Sequence, residues 1–249
     1  MLLIVCPLVF LASFVDSIAG GGGLISMPAY LLTGIPTHTA FGCNKLSAGA
    51  GTAFAMSRFL KHGHIDLRRA MISAAFALFG ALIGARVNLL IDAAVLKRLI
   101  IILIPAVAVF VLFSRRRESS GPLLQGNRLM IACALIGLLI GLYDGLIGPG
   151  TGTFLIIAFT AITRYDTITA SGNAKVVNLA SNLASLAIYL INGRVLLWLA
   201  LPAAACGILG SWLGSHLAIT RGARLIKAML LVVLIGIMVK LVYDLQTGG

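Results

Sequence analysis

Residues 16–23 read Asp16-Ser17-Ile18-Ala19-Gly20-Gly21-Gly22-Gly23, and after a short apolar run the chain reads Gly42-Cys43-Asn44-Lys45. Four consecutive glycines, an aspartate and a lysine stand inside sequence that is otherwise apolar enough for lipid. A bilayer core has no water for freed backbone groups or ions, so such a stretch persists only where protein buries it or a wet cavity runs past it. A related stretch follows later: Asp144-Gly145-Leu146-Ile147-Gly148-Pro149-Gly150-Thr151, then Gly172-Asn173-Ala174-Lys175. The chain reads as two copies of one broken-helix unit.

Composition agrees with a membrane setting. Of 249 residues, 60% are hydrophobic and 10% charged, where a soluble domain carries about 25% charged. Mean hydropathy is +1.07. The expected fold is an all-α polytopic membrane protein with about eight membrane segments plus short half-helices. The net charge of +12 sits in short loops between apolar runs. That is the positive-inside pattern, and it points to lipid or an anionic substrate instead of nucleic acid. Cys6, Cys43, Cys133 and Cys206 are scattered, with no CxxC pair and no Cys/His cluster. They read as packing residues, and no disulfide, metal or cofactor is expected.

Residues 2–19 form a first apolar segment, retained at the N-terminus. Residues 24–33 are too short to span, so they re-enter or meet another half-helix end-on. Residues 39–60 form a helix of small side chains, which lets helices approach closely in lipid. A basic loop runs from Lys61 to Arg69. Segments 70–90, with Gly80 and Gly84 four apart, and 95–113 complete the first repeat, 1–113. A linker at 114–127 leads to the second repeat, 128–249. At a shift of 130, Gly42, Lys45, Gly80, Gly84 and Lys97 coincide with Gly172, Lys175, Gly210, Gly214 and Lys227. At a shift of 128, Asp16, Gly20 and Gly22 match Asp144, Gly148 and Gly150. If each half crosses an odd number of times the repeats are inverted. The basic residues favour that arrangement, with Lys61, Arg68, Arg69 and Arg115–Arg117 on one face and Arg86, Lys97, Arg98, Arg194 and Lys240 on the other. An even count leaves a slightly weaker bias.

The glycine breaks free backbone amides at the start of the following half-helices. With the positive end of the helix dipole, these make an anion site from Gly21, Gly22, Gly23, Gly150 and Thr151; alternatively the glycines serve only a tight turn or a close crossing. Lys45 and Lys175 either neutralise a bound anion or form ion pairs with Asp16 or Asp144. The two aspartates sit at the unfavourable, C-terminal ends of their helices and want a lysine, a cation or a proton; they are the candidates for proton coupling. Lys175, Asn178, Asn182, Ser185 and Tyr189 share one helix face, which either bonds across helices or lines a wet path. Asn44, Asn173 and Asn178 are expected to orient a substrate. No Walker motif, nucleophile elbow or metal constellation is present, so no catalytic residue is assigned and the protein is read as no enzyme.

The glycine run, Pro28, Pro36 and Gly42-Cys43-Asn44-Lys45, with a weaker second copy, resemble the sulfite exporter TauE/SafE family, also called the toluene sulfonate uptake family. The usual threonine before Asn-Lys is Cys43 here, and in the second copy Ala174 separates Asn173 from Lys175. The resemblance implies a multi-pass permease of the bacterial inner membrane for sulfite or organosulfonate-type small anions. The repeat layout adds the expectation of alternating access by one half rocking against the other. A passive anion channel, or a permease for another small carboxylate or oxyanion, is the alternative. The implied partners are a small anionic substrate, membrane lipids and, as an assembly option, a second copy in a homodimer.

Overall fold

The computed structural model describes residues 1–113 and 122–221. Most of the expected linker, with Arg115–Arg117, and the later residues Lys227 and Lys240 lie outside the described residues. The helices are α1 (Leu2–Ala19), α2 (Gly23–Leu31), α3 (Thr37–Lys61), α4 (Leu67–Leu90), α5 (Ala93–Phe113), α6 (Gly126–Leu146), α7 (Thr151–Ala158), α8 (Thr167–Ile191) and α9 (Leu197–Arg221). A π-helical turn, Phe159–Thr163, continues α7. Six of these, α1, α4, α5, α6, α8 and α9, are long and apolar enough to cross a membrane. The protein is an all-α, polytopic membrane protein. At 25 residues, α3 reaches about 37 Å, but its small and polar residues make it less apolar than those six. α2, with 9 residues, reaches about 14 Å, half a bilayer core.

Loop contacts set the helix directions. Gly42, near the start of α3, lies so close under the Arg194 carbonyl that a Cβ would overlap it, and Gly172, near the start of α8, lies likewise under His64. The start of α3 therefore meets the loop after α8, and the start of α8 meets the loop after α3. The two helices run antiparallel. Asp66 and Asp166 open α4 and α8 as N-caps, accepting from main-chain N–H groups of the first turn.

Glycine seams decide which helices stay together. A Cβ at Gly80 or Gly84 would overlap the Leu138 or Leu142 carbonyl of α6, and one at Gly210 or Gly214 would overlap the Phe10 or Phe14 carbonyl of α1. Residues 10 and 14 thus lie beside 210 and 214, so α1 and α9 run parallel in register; α4 and α6 do the same. These pairs, the most extensively packed among the described residues, each join one helix from either half of the sequence. Each of these seams thus brings backbones from the two halves of the sequence into direct contact. Large apolar side chains such as Phe79, Leu90, Leu139 and Trp212 face outward.

Candidate functional site

The two helix breaks meet at the centre of the bundle. Gly20 ends α1 at φ 81° with its N–H donating 2.8 Å to the Asp16 carbonyl, and a Cβ there would overlap the main chain of Gly152. Only glycine tolerates both that dihedral and that approach. Across the contact, the Thr153 N–H donates to the Gly20 carbonyl at 2.9 Å and the Thr153 hydroxyl donates to the Ala19 carbonyl at 2.9 Å. Gly150, at φ 86°, opens α7. The first-turn N–H groups of Gly23 and Gly152 accordingly start two half-helices at one place.

Each lysine reaches the aspartate of the other half. Lys45 Nζ lies 2.7 Å from Asp144 Oδ2 and donates 2.7 Å to the Asp144 main-chain carbonyl. The aligned hydrogen bond goes to the carbonyl, and the carboxylate contact is chiefly ionic. Lys175 Nζ lies 2.6 Å from Asp16 Oδ2 and also donates to the Asp16 carbonyl. An ammonium that binds both the carboxylate and an end-of-helix carbonyl offsets the dipole penalty that the sequence position imposes. The pairs differ in exposure: side chains are 2% and 4% exposed for Lys45 and Asp144, but 1% and 16% for Lys175 and Asp16. Thr151 adds a donor to Asp144 Oδ1 at 2.9 Å, shared with the Gly148 carbonyl at 2.6 Å. On the other side, the Gly22 N–H lies 3.3 Å from Asp16 Oδ1.

A polar cavity opens between the breaks, with room for about three water molecules. Asp16, Gly22, Gly23, Asn44, Lys45, Asp144, Gly150, Thr151, Asn178 and Asn182 line it. Among the described residues, the Asn44 Oδ1 is buried without a partner. Asn182 donates to the Asn178 carbonyl at 2.8 Å and to its Oδ1 at 3.1 Å, so part of the α8 stripe bonds along its own helix. Three expected residues are not on the lining. Lys175 sits behind Asp16, Gly21 lies beside the break, and Asn173 faces a loop, where its Oδ1 accepts from the Asp66 N–H at 2.9 Å. Conversely, Ser13, Ser26, Ser47 and Ser211 line the cavity although the sequence reading did not single them out. The only signal was a lone hydroxyl within an apolar or small-residue helix.

Outside the membrane-length segments, Asp66 anchors a polar loop cluster. It accepts from the Tyr165 hydroxyl at 2.6 Å and pairs with Arg69. Burial pushes its carboxyl up, but the Tyr165 hydroxyl and the Arg69 side-chain and main-chain donors outweigh that and hold it below the usual carboxylate range. Burial and then the adjacent Asp66 push the Tyr165 phenol up.

Two broken helices frame a polar, ion-paired cavity within membrane-length helices, an arrangement that membrane transporters use. The chain belongs to the sulfite exporter TauE/SafE family, whose profile matches residues 5–241. It is 36% identical to a probable membrane transporter protein of Haemophilus influenzae, over 94% of this chain and 92% of that one. It is 34% identical to the probable membrane transporter protein ORF9 of a Sinorhizobium species, over 94% and 90%. With the probable membrane transporter protein YfcA of Escherichia coli K12 it shares 31%, over 94% and 87%. No solved structure matches the chain.

Proposed function

We propose that the protein is a secondary transporter of the bacterial inner membrane for a small oxyanion of the sulfite or organosulfonate type. The observation that carries this is the pairing of charge with backbone at the cavity. Lys45, two aspartates and the opening turns of α2 and α7 converge on a space the size of a few waters, with Lys175 paired to Asp16 behind it. The N–H groups of Gly23 and Gly152 and the two dipole ends favour an anion. Asn44, with an unpartnered Oδ1, and Asn178 and Asn182 give it orientation. The volume suits an inorganic oxyanion or a very small sulfonate better than an arenesulfonate.

Charge balance supports proton coupling. The two lysines and two aspartates sum to zero, so an anion that takes an ammonium leaves a buried carboxylate unpaired. A proton on Asp16 or Asp144 neutralises it, because an isolated ion at this depth is strongly unfavourable. Asp16, the more open carboxylate, is the first to exchange. Matched contacts in the two halves, with α3 antiparallel to α8, support inverted repeats around this site. The bodies that move are then the exchanged groups, α1 and α9 with α3 against α4 and α6 with α8. Both Lys–Asp pairs cross between those groups.

The test is flux of sulfite, sulfoacetate, taurine and acetate into proteoliposomes, with and without a pH gradient. We expect saturable, gradient-dependent flux of a sulfur oxyanion, with counterflow. It should fall at least tenfold in Lys175→Met/Asp16→Asn, which removes one pair without leaving a lone charge. Unaltered flux in that variant would refute the paired site, and ohmic, non-saturating flux would favour a channel.

A further inference from the structure

Cys6 and Cys206 are 200 positions apart in the sequence, and their linear spacing marks them as unrelated packing residues. The fold places them together. The α1–α9 seam pairs residue 10 with 210 and residue 14 with 214. One helical turn earlier on both strands of that parallel register stand residues 6 and 206. Both cysteines are half-buried, unlike Cys43 and Cys133, which are buried. Val9 packs on Gly207 at 3.5 Å and keeps the backbones close at the adjacent position.

We propose that Cys6 and Cys206 form a dithiol that oxidises to a disulfide, tying α1 to α9 and so joining the two halves of the sequence. The chemistry is thiol–disulfide exchange with a small or protein disulfide as oxidant. One thiolate attacks the oxidant's S–S bond and releases a first thiolate. The second cysteine thiolate attacks the mixed disulfide, forms the Cys6–Cys206 bond and releases the second. Two protons leave the cysteines and two electrons reduce the oxidant. Cys6 lies four residues into α1, about 6 Å along the helix, at the end shared with the loop that carries Arg194. On the orientation in which Lys61, Arg68 and Arg69 face the cytoplasm, that end faces the periplasm, an oxidising compartment.

Full-length protein in lipid nanodiscs is treated with diamide, denatured in detergent, and its free thiols counted with maleimide-polyethylene glycol. Wild type is expected to go from four tags, matching its four cysteines, to two, and to return to four after reduction. Cys6→Ser and Cys206→Ser should show three tags with or without diamide. Four tags in oxidised wild type, or the same loss in either variant, would overturn the pair. A second sample, trapped with acid in intact cells, tests the compartment separately. Two tags there place the pair on the oxidising side, whereas four tags there, alongside two with diamide in nanodiscs, would overturn the orientation and the in-cell disulfide but not the contact.

Discussion

The two ends of the bundle are closed by matching contacts made of different chemistry. At one end, α8 presses Gly172 under the His64 carbonyl, and the Asn173 Oδ1 accepts from the Asp66 N–H at 2.9 Å. Asp66 there also binds Tyr165 and Arg69. At the other end, α3 presses Gly42 under the Arg194 carbonyl, and the acceptor for the Leu196 N–H is the Cys43 Sγ, at 3.3 Å. An amide oxygen is a strong acceptor and a thiol a weak one. Backbone geometry therefore repeats where side-chain strength does not, and the Asp66 end is the more firmly closed. The ion pairs differ in the same way: Lys45 and Asp144 are both almost fully buried, whereas Asp16 of the other pair is 16% exposed. On the proposed cycle, the end held by Cys43 and the pair containing Asp16 yield first.

The sharpest way to break this comparison is to remove one aspartate at a time. Asp144→Ala leaves Lys45 buried with only a carbonyl, at a cost of about 3–5 kcal/mol. Asp16→Ala is expected to cost clearly less, because water reaches that carboxylate. Thermal unfolding of the purified variants checks the order, and equal losses would mean that the difference in exposure is not energetic. Next in size, Asn173→Ala strands the Asp66 N–H and should cost about 1–3 kcal/mol. Cys43→Ala loses only a weak acceptor and a small packing volume, and should lower the unfolding temperature less. The smallest effect concerns acid. Asp66 is held below its ordinary value of 3.8, so its contribution to stability is complete above that value and is lost as pH falls through the lowered one. Tyr165→Phe removes a donor that holds it down, so the loss should be smaller and be complete at a higher pH. Unfolding followed from about pH 5 to pH 2 measures that displacement.

Much of the cavity lining was legible in the sequence. The glycine runs, the two lysines and the two aspartates stood out because glycine and charge are unfavourable in a spanning helix unless something buries or wets them. Ten of the thirteen residues singled out line one cavity. Asn173 was misjudged in place because a polar residue beside a lysine reads alike whether it faces a cavity or caps a neighbouring loop. The cavity serines were missed because one hydroxyl bonds within its own helix at little cost and leaves no pattern, as Ser26 does with the Gly22 carbonyl.

The sequence by itself determined the membrane setting, the places where helices break and the residues that lipid would not tolerate unpartnered. These follow from composition, from period and from the local cost of freed backbone groups, all of which are short-range. Which partner each group takes was decided only by the tertiary structure. Lys45 could have met Asp16, its neighbour in the same half; it meets Asp144, 99 positions away, and Lys175 meets Asp16 across 159. The seams that bring α1 to α9 and α6 to α4 rest on backbone contact at Gly80, Gly84, Gly210 and Gly214. Those glycines announce a close approach, but a missing side chain does not name the helix that fills the space. The same seams set Cys6 beside Cys206.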